Sequence, residues 1–171
     1  HYLANTNAKE YHPGVAEILA SQENNGEKVI QSMLNERSAP IMFYKQMTHH
    51  LLDLNRDFLQ QVHNILLTRD PKEMLPSYAA VIENPTLDGV GYRLHCELVD
   101  HFTANQIPFT VIDSQSVLLN PEQQLRSLCK KLDIPFDENM LHWKKGARPE
   151  DGVNFPALQL TVFKNGIDFG S

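Results

Sequence analysis

Apolar positions along the chain alternate between helical and strand spacing. Val15, Ile18 and Leu19, following Pro13-Gly14, predict a short helix. Val29, Ile30, Met33 and Leu34 predict an amphipathic helix over roughly 26–36. Pro40-Ile41-Met42-Phe43-Tyr44-Lys45 then reads as a strand, and Leu51, Leu52, Phe58 and Leu59 as another helix. The short run Ile65-Leu66-Leu67 before Thr68 has the character of a buried strand of a parallel sheet. A long helix is predicted over Leu87 to Asn105, from Leu87, Val90, Leu94, Leu98 and Phe102. Pro108-Phe109-Thr110-Val111-Ile112-Asp113 predicts a further strand, and residues 113–120 a loop. Pro121-Glu122 opens a helix with Leu125, Leu128, Cys129 and Leu132 on one face. Strands alternating with helices argue for an α/β fold, a parallel sheet flanked by helices.

The densest signal is the junction after Ile65-Leu66-Leu67-Thr68. Arg69-Asp70-Pro71 places a good N-cap before a proline at the first helical position, and Glu73 completes a capping box. Strand end, turn and helix start therefore fall within a few residues. A helix N-terminus presents backbone N–H groups and a positive dipole end. Arg69 adds a planar guanidinium suited to phosphate. Leu75, Tyr78, Ala79 and Ile82 follow helical spacing and predict the buried face. At ~100° per residue, Ser77 falls roughly opposite it, with a hydroxyl available to an anion. Pro76 removes a helical hydrogen bond and predicts a bend or early stop.

Composition bounds the reading. The 171 residues fit one domain with a sizeable core, and 42% hydrophobic with 21% charged residues is ordinary for a globular protein. A net charge of −6 gives no electrostatic footprint for nucleic acid. No apolar run approaches the ~18 residues of a membrane span, and the N-terminus has no signal-peptide pattern. Cys96 and Cys129, the two cysteines, read as reduced core thiols, which places the protein in the cytoplasm. His95 and His101 lie six apart on the predicted helix and do not share a face as a helical zinc pair would, so no metal is expected.

The stretch from Ile65 to Tyr78 resembles the 3′-phosphate-binding segment of sulfotransferases that use PAPS (3′-phosphoadenosine-5′-phosphosulfate). That family carries a strand, Arg-Asp-Pro, and a helix with a serine eight residues after the arginine, as Arg69 and Ser77 are spaced here. The resemblance implies that Arg69 and Ser77 hold the nucleotide's 3′-phosphate. It also bears on Lys45-Gln46-Met47-Thr48-His49-His50. Attack of a hydroxyl on sulfur needs a proton acceptor titrating near neutral pH, and charge on the bridging oxygen needs a cation. By resemblance Lys45 takes the cationic role and His49 that of the base, with His50 as competitor. The spacing is looser than the Lys-Thr-His of the cytosolic enzymes. Asn120-Pro121, the helix after it and Leu132-Asp133-Ile134-Pro135-Phe136 match a structural segment of the same family. Trp143-Lys144-Lys145-Gly146 is similar to an Arg-Lys-Gly that also contacts the 3′-phosphate, but follows Phe136 sooner.

The resemblance covers roughly 40–150 and is nearest to the sulfotransferase-like domain found fused to branched-chain aminotransferase-like proteins. It implies a P-loop superfamily fold, PAPS as donor and a small-molecule hydroxyl acceptor. The family's first strand and the loop cradling the 5′-phosphosulfate find no match before residue 40. The chain, which begins with His1, therefore reads as a fragment lacking that element. The expected division is a partial sulfotransferase-like domain over 1–152 and a divergent, weakly ordered tail over 153–171. Three functional readings follow: a sulfotransferase domain, a weakly active or inactive regulatory form of it, and a P-loop kinase-like phosphotransferase.

Overall fold

A computed structural model describes residues 1–10, 14–80, 86 and 89–142. The chain divides into two compact units, His1–Tyr44 with Lys144–Ser171, and Lys45–Trp143. The described part of the first unit is helical: α1 (Tyr2–Asn5), a 3-10 turn (Asn7–Glu10), α2 (Val15–Ser21) and α3 (Gly26–Asn35). Asn25 caps α3 by accepting from the Lys28 backbone N–H at 3.0 Å, and Ile30 is the buried residue of its apolar stripe. The strand expected at Pro40–Lys45 does not form. Ile41, Met42, Phe43 and Tyr44 are all exposed, Phe43 at 77%. A strand pattern becomes a strand only against a partner, and no ladder reaches this stretch among the described residues.

The second unit holds the sheet. Among the described residues, strands β1 (Asn64–Thr68) and β2 (Phe109–Asp113) pair in parallel, Asn64 opposite Phe109 through Thr68 opposite Asp113. A parallel pair needs a crossover. Here it contains α4 (Pro71–Ala79) and α5 (Tyr92–Ala104), and after β2 come α6 (Ser114–Leu119) and α7 (Pro121–Leu132). This is a small parallel sheet flanked by helices, the α/β architecture that the sequence pattern predicts.

The core is built where α5 meets the sheet. Leu59, Leu98, Phe102 and Ile107 are buried together, with Leu51, Phe58, Leu66 and Phe109 packed against them. Phe102 and Phe109 are 5.3 Å apart between ring centroids. Asn64 Nδ2 donates to the Leu59 carbonyl at 2.8 Å, so the buried amide at the start of β1 is satisfied.

The Leu51–Leu59 pattern is realised as two 3-10 turns, Thr48–Leu51 and Asp57–Gln61. Asp53 takes a left-handed φ of 55°, and Asn55 Oδ1 captures the Asp57 N–H at 2.8 Å, so the helix is interrupted twice. The expected loop at 113–120 contains α6, because Asp113 caps it through the Ser116 N–H and hydroxyl, both at 2.9 Å. The long helix begins at Tyr92, and Leu87 lies outside the described residues. Cys129 is buried as expected, but Cys96 is exposed.

Candidate functional site

β1 ends at Thr68, and the chain turns through Arg69-Asp70 into α4. Asp70 is the N-cap and accepts from the Lys72 backbone N–H at 2.8 Å, with Pro71 at the first helical position. The expected capping box is only half made. Glu73 turns its carboxylate toward Arg69 Nε, at 3.7 Å, and accepts from Gln115 Nε2 at 2.6 Å. The Arg69 side chain is 43% exposed. An arginine at the carboxyl end of a parallel strand stands where ligands bind in open α/β sheets.

Ser77 is exposed, and its hydroxyl donates to the Met74 carbonyl at 2.9 Å. The donor expected to be available is thus spent on the helix's own backbone. It reaches an anion only after its side chain rotates. The helix does not stop at Pro76 but runs to Ala79. Its half-buried positions include Met74 and Tyr78, whereas Leu75 is 43% exposed. The apolar face is therefore turned from the one expected, and Ile82 lies outside the described residues.

Lys45 is exposed on irregular chain, and His49 and His50 are half-buried in the 3-10 turn that follows. Their rings meet edge to face with centroids 4.8 Å apart. Burial lowers the pKa of His49. Burial, reinforced by His49 and Lys45, lowers that of His50 to about 4. His50 Nδ1 also lies 2.9 Å from Gln46 Oε1.

The start of α5 joins the two places. Gly91, its N-cap, has φ of 78°, and a Cβ there would sit 3.5 Å from Thr48 Oγ1. A side chain at this position would be strained by its backbone conformation, while its Cβ would make only ordinary contact with the histidine turn. The next residue, Tyr92, donates its phenol to the Arg69 carbonyl at 2.7 Å. So α5 touches the His49 turn with one residue and the Arg69 turn with the next. Tyr92 and Gln115 are the site residues that sequence reasoning missed. Their partners lie 23 and 42 residues away, and no local pattern marks them.

His95 is half-buried on α5 with its pKa lowered by burial. Among the described residues, no group of three His, Cys, Asp or Glu side chains is placed to hold a metal ion. None of the described helices is long and apolar enough to cross a membrane. The Trp143-Lys144-Lys145-Gly146 match lies outside the described residues.

A strand end, an arginine turn, a capped helix and a histidine pair, with the start of α5 touching both turns, make up the candidate site of an α/β protein. The family model for the sulfotransferase domain matches residues 1–165, and the chain belongs to that family. The match extends beyond the 40–150 stretch at both ends and includes part of 153–171. The chain is 32% identical over 142 residues to branched-chain-amino-acid aminotransferase-like protein 1 of Arabidopsis thaliana, covering 82% of this chain and 25% of the relative. It is 30% identical over 151 residues to branched-chain-amino-acid aminotransferase-like protein 2 of the same plant, covering 87% of this chain and 27% of the relative. The chain thus spans about a quarter of the length of the curated relatives it matches. No solved structure matches it.

Proposed function

We propose that the chain is the nucleotide-gripping part of a sulfotransferase that moves a sulfonate group from PAPS to the hydroxyl of a small molecule. The observation that carries this reading is Arg69 at the carboxyl end of β1, beside the capped start of α4, in a chain of the sulfotransferase family.

The donor set suits a phosphomonoester. Arg69 offers a planar fork of N–H groups, the first turn of α4 adds a positive dipole end, and Ser77 can join after rotating off the Met74 carbonyl. Arg69 and Ser77 would hold the 3′-phosphate of PAPS, which supplies the activated sulfonate when bound. His49 accepts the proton of the attacking hydroxyl on a ring nitrogen. Its neutral form is favoured by burial, and it is preferred to His50, whose pKa of about 4 makes it a poor base. Lys45 provides positive charge toward the bridging oxygen. The names of the curated relatives support an aminotransferase-like region joined to this one in the parent protein.

A second reading retains the nucleotide grip and drops turnover, giving a regulatory or weakly active domain. It is favoured by Lys45, which stands exposed on irregular chain rather than at a strand end.

Calorimetric titration with 3′,5′-ADP beside 5′-AMP tests the grip common to both readings. Preference for the 3′-phosphate is expected, and Arg69→Ala should reduce affinity for 3′,5′-ADP roughly ten- to hundredfold, since hydrogen bonds to charged groups contribute ~1.5–3 kcal/mol. Equal affinity of a folded sample for the two nucleotides would refute it. Turnover with PAPS and a set of hydroxyl acceptors then separates the enzyme from the regulatory domain.

A further inference from the structure

We infer that Tyr92, Glu73 and Gln115 form a clamp that positions Arg69 for the nucleotide's phosphate, an inference that rests on the reading of Arg69 given above. A half-exposed arginine on its own samples many rotamers, and gripping a ligand then costs that freedom. Arg69 is held at both ends. Tyr92, from the first turn of α5, donates to its main-chain carbonyl at 2.7 Å. Burial and then the nearby Asp70 carboxylate raise the pKa of the phenol, so it remains a donor at neutral and mildly alkaline pH. At the other end Glu73 Oε2 sits 3.7 Å from Nε. Its approach on the Nε side leaves the outer amino groups to a ligand. Gln115, in α6 beyond β2, donates to the other oxygen of that carboxylate at 2.6 Å. Arg69 is thus met by α5 at its main chain and by α4 at its side chain, and α6 reaches it through Glu73.

An isolated surface ion pair would do little. What distinguishes a clamp is that each contact acts through Arg69. The full chain should be examined as Tyr92→Phe, Glu73→Gln and Gln115→Ala, each alone and combined with Arg69→Ala. One readout is the ratio of the dissociation constants for 5′-AMP and 3′,5′-ADP. The other is the Arg69 Nε–Hε signal in NMR, assigned by its loss in Arg69→Lys. Tyr92→Phe and Gln115→Ala each remove one hydrogen bond and should lower the ratio roughly two- to tenfold, and Glu73→Gln, which removes a surface ion pair, by less, with the melting temperature nearly unchanged. The Nε–Hε signal should show greater mobility. With Arg69 already replaced, the same substitutions should change nothing further.

An Nε–Hε signal unmoved in all three variants overturns the clamp, as does a fall in the ratio that persists beside Arg69→Ala. If the wild-type chain binds both nucleotides equally, the phosphate assignment fails, and the inference that the clamp serves a phosphate fails with it. The NMR signal then still reports separately whether Arg69 is held.

Discussion

The Arg69 turn with α4 and the Lys45–Leu51 segment carry the four candidate side chains and are held in different ways. Arg69 follows a strand, precedes a capped helix and receives contacts from α5 and, through Glu73, from α6. Lys45 follows four exposed apolar residues and precedes a 3-10 turn tied down mainly by Leu51, which packs on the core. The geometry of the first place is thus fixed by regular structure. In the second it depends on irregular chain, which has fewer backbone hydrogen bonds to hold it. The two proposed readings differ on whether a segment held like the second can support turnover.

Removing the support shared by both regions would break the contrast. Phe102 is 2% exposed in the core that both Leu51 and Leu66 join. Phe102→Ala should cost about 3–5 kcal/mol, enough to unfold a marginal domain. Chemical denaturation should show it, with nucleotide binding and the histidine turn lost together. A variant that unfolds no earlier than wild type would place the support of one region elsewhere.

Arg69→Ala and Lys45→Ala should sharpen the contrast. The first should remove about 1.5–3 kcal/mol of affinity for 3′,5′-ADP with little change in melting temperature, because the side chain is half exposed. The second should leave that affinity nearly intact and lower turnover where turnover is measurable. Equal effects of the two variants on nucleotide affinity would erase the proposed division of labour.

The sequence was legible in proportion to how local each determinant is. β1, the Asp70 cap, β2 and α7 are specified by neighbours in the chain, and all four form close to where the pattern places them. A strand at 40–45 needs a partner strand, which no short-range pattern can supply. The turns over 48–61 depend on Asp53 and Asn55 overriding an apolar repeat, a competition that spacing does not reveal. Of the site, the identity and chain position of Arg69 could be read, whereas its partners Tyr92 and Gln115 could not. Ser77 illustrates the converse, since spacing indicates a side of the helix but not whether a hydroxyl is already bonded to Met74.

A smaller effect isolates the cap that gives the Arg69 turn its rigidity. Asp70 accepts one of the first N–H groups of α4 on an exposed surface. Asp70→Ala should destabilise by about 1 kcal/mol in thermal denaturation, and Asp70→Asn by less, because the amide oxygen still caps. Identical losses for the two would mean that the charge matters rather than the hydrogen bond.

The smallest expected effect concerns the other region and depends on pH. Burial lowers the pKa of His50 from 6.5 to about 4, so the folded chain binds this proton more weakly than the unfolded chain. Between those two values the unfolded state carries more protons, and stability falls as pH falls. The contribution is complete above pH 6.5 and is lost progressively toward about 4. His50 is only half-buried, so solvent screening reduces the effect to no more than about 1 kcal/mol. His49 shifts in the same direction and adds to the slope of the wild-type chain. Melting temperatures at pH 7.5 and 5.0 should therefore drop further for wild type than for His50→Gln, which has no proton to gain. Parallel drops would mean that the His50 ring is solvated and the histidine turn looser than its packing against α5 implies. With His50 confirmed as neutral and confined, His49 would stand as the imidazole of this turn better able to take a proton near neutral pH.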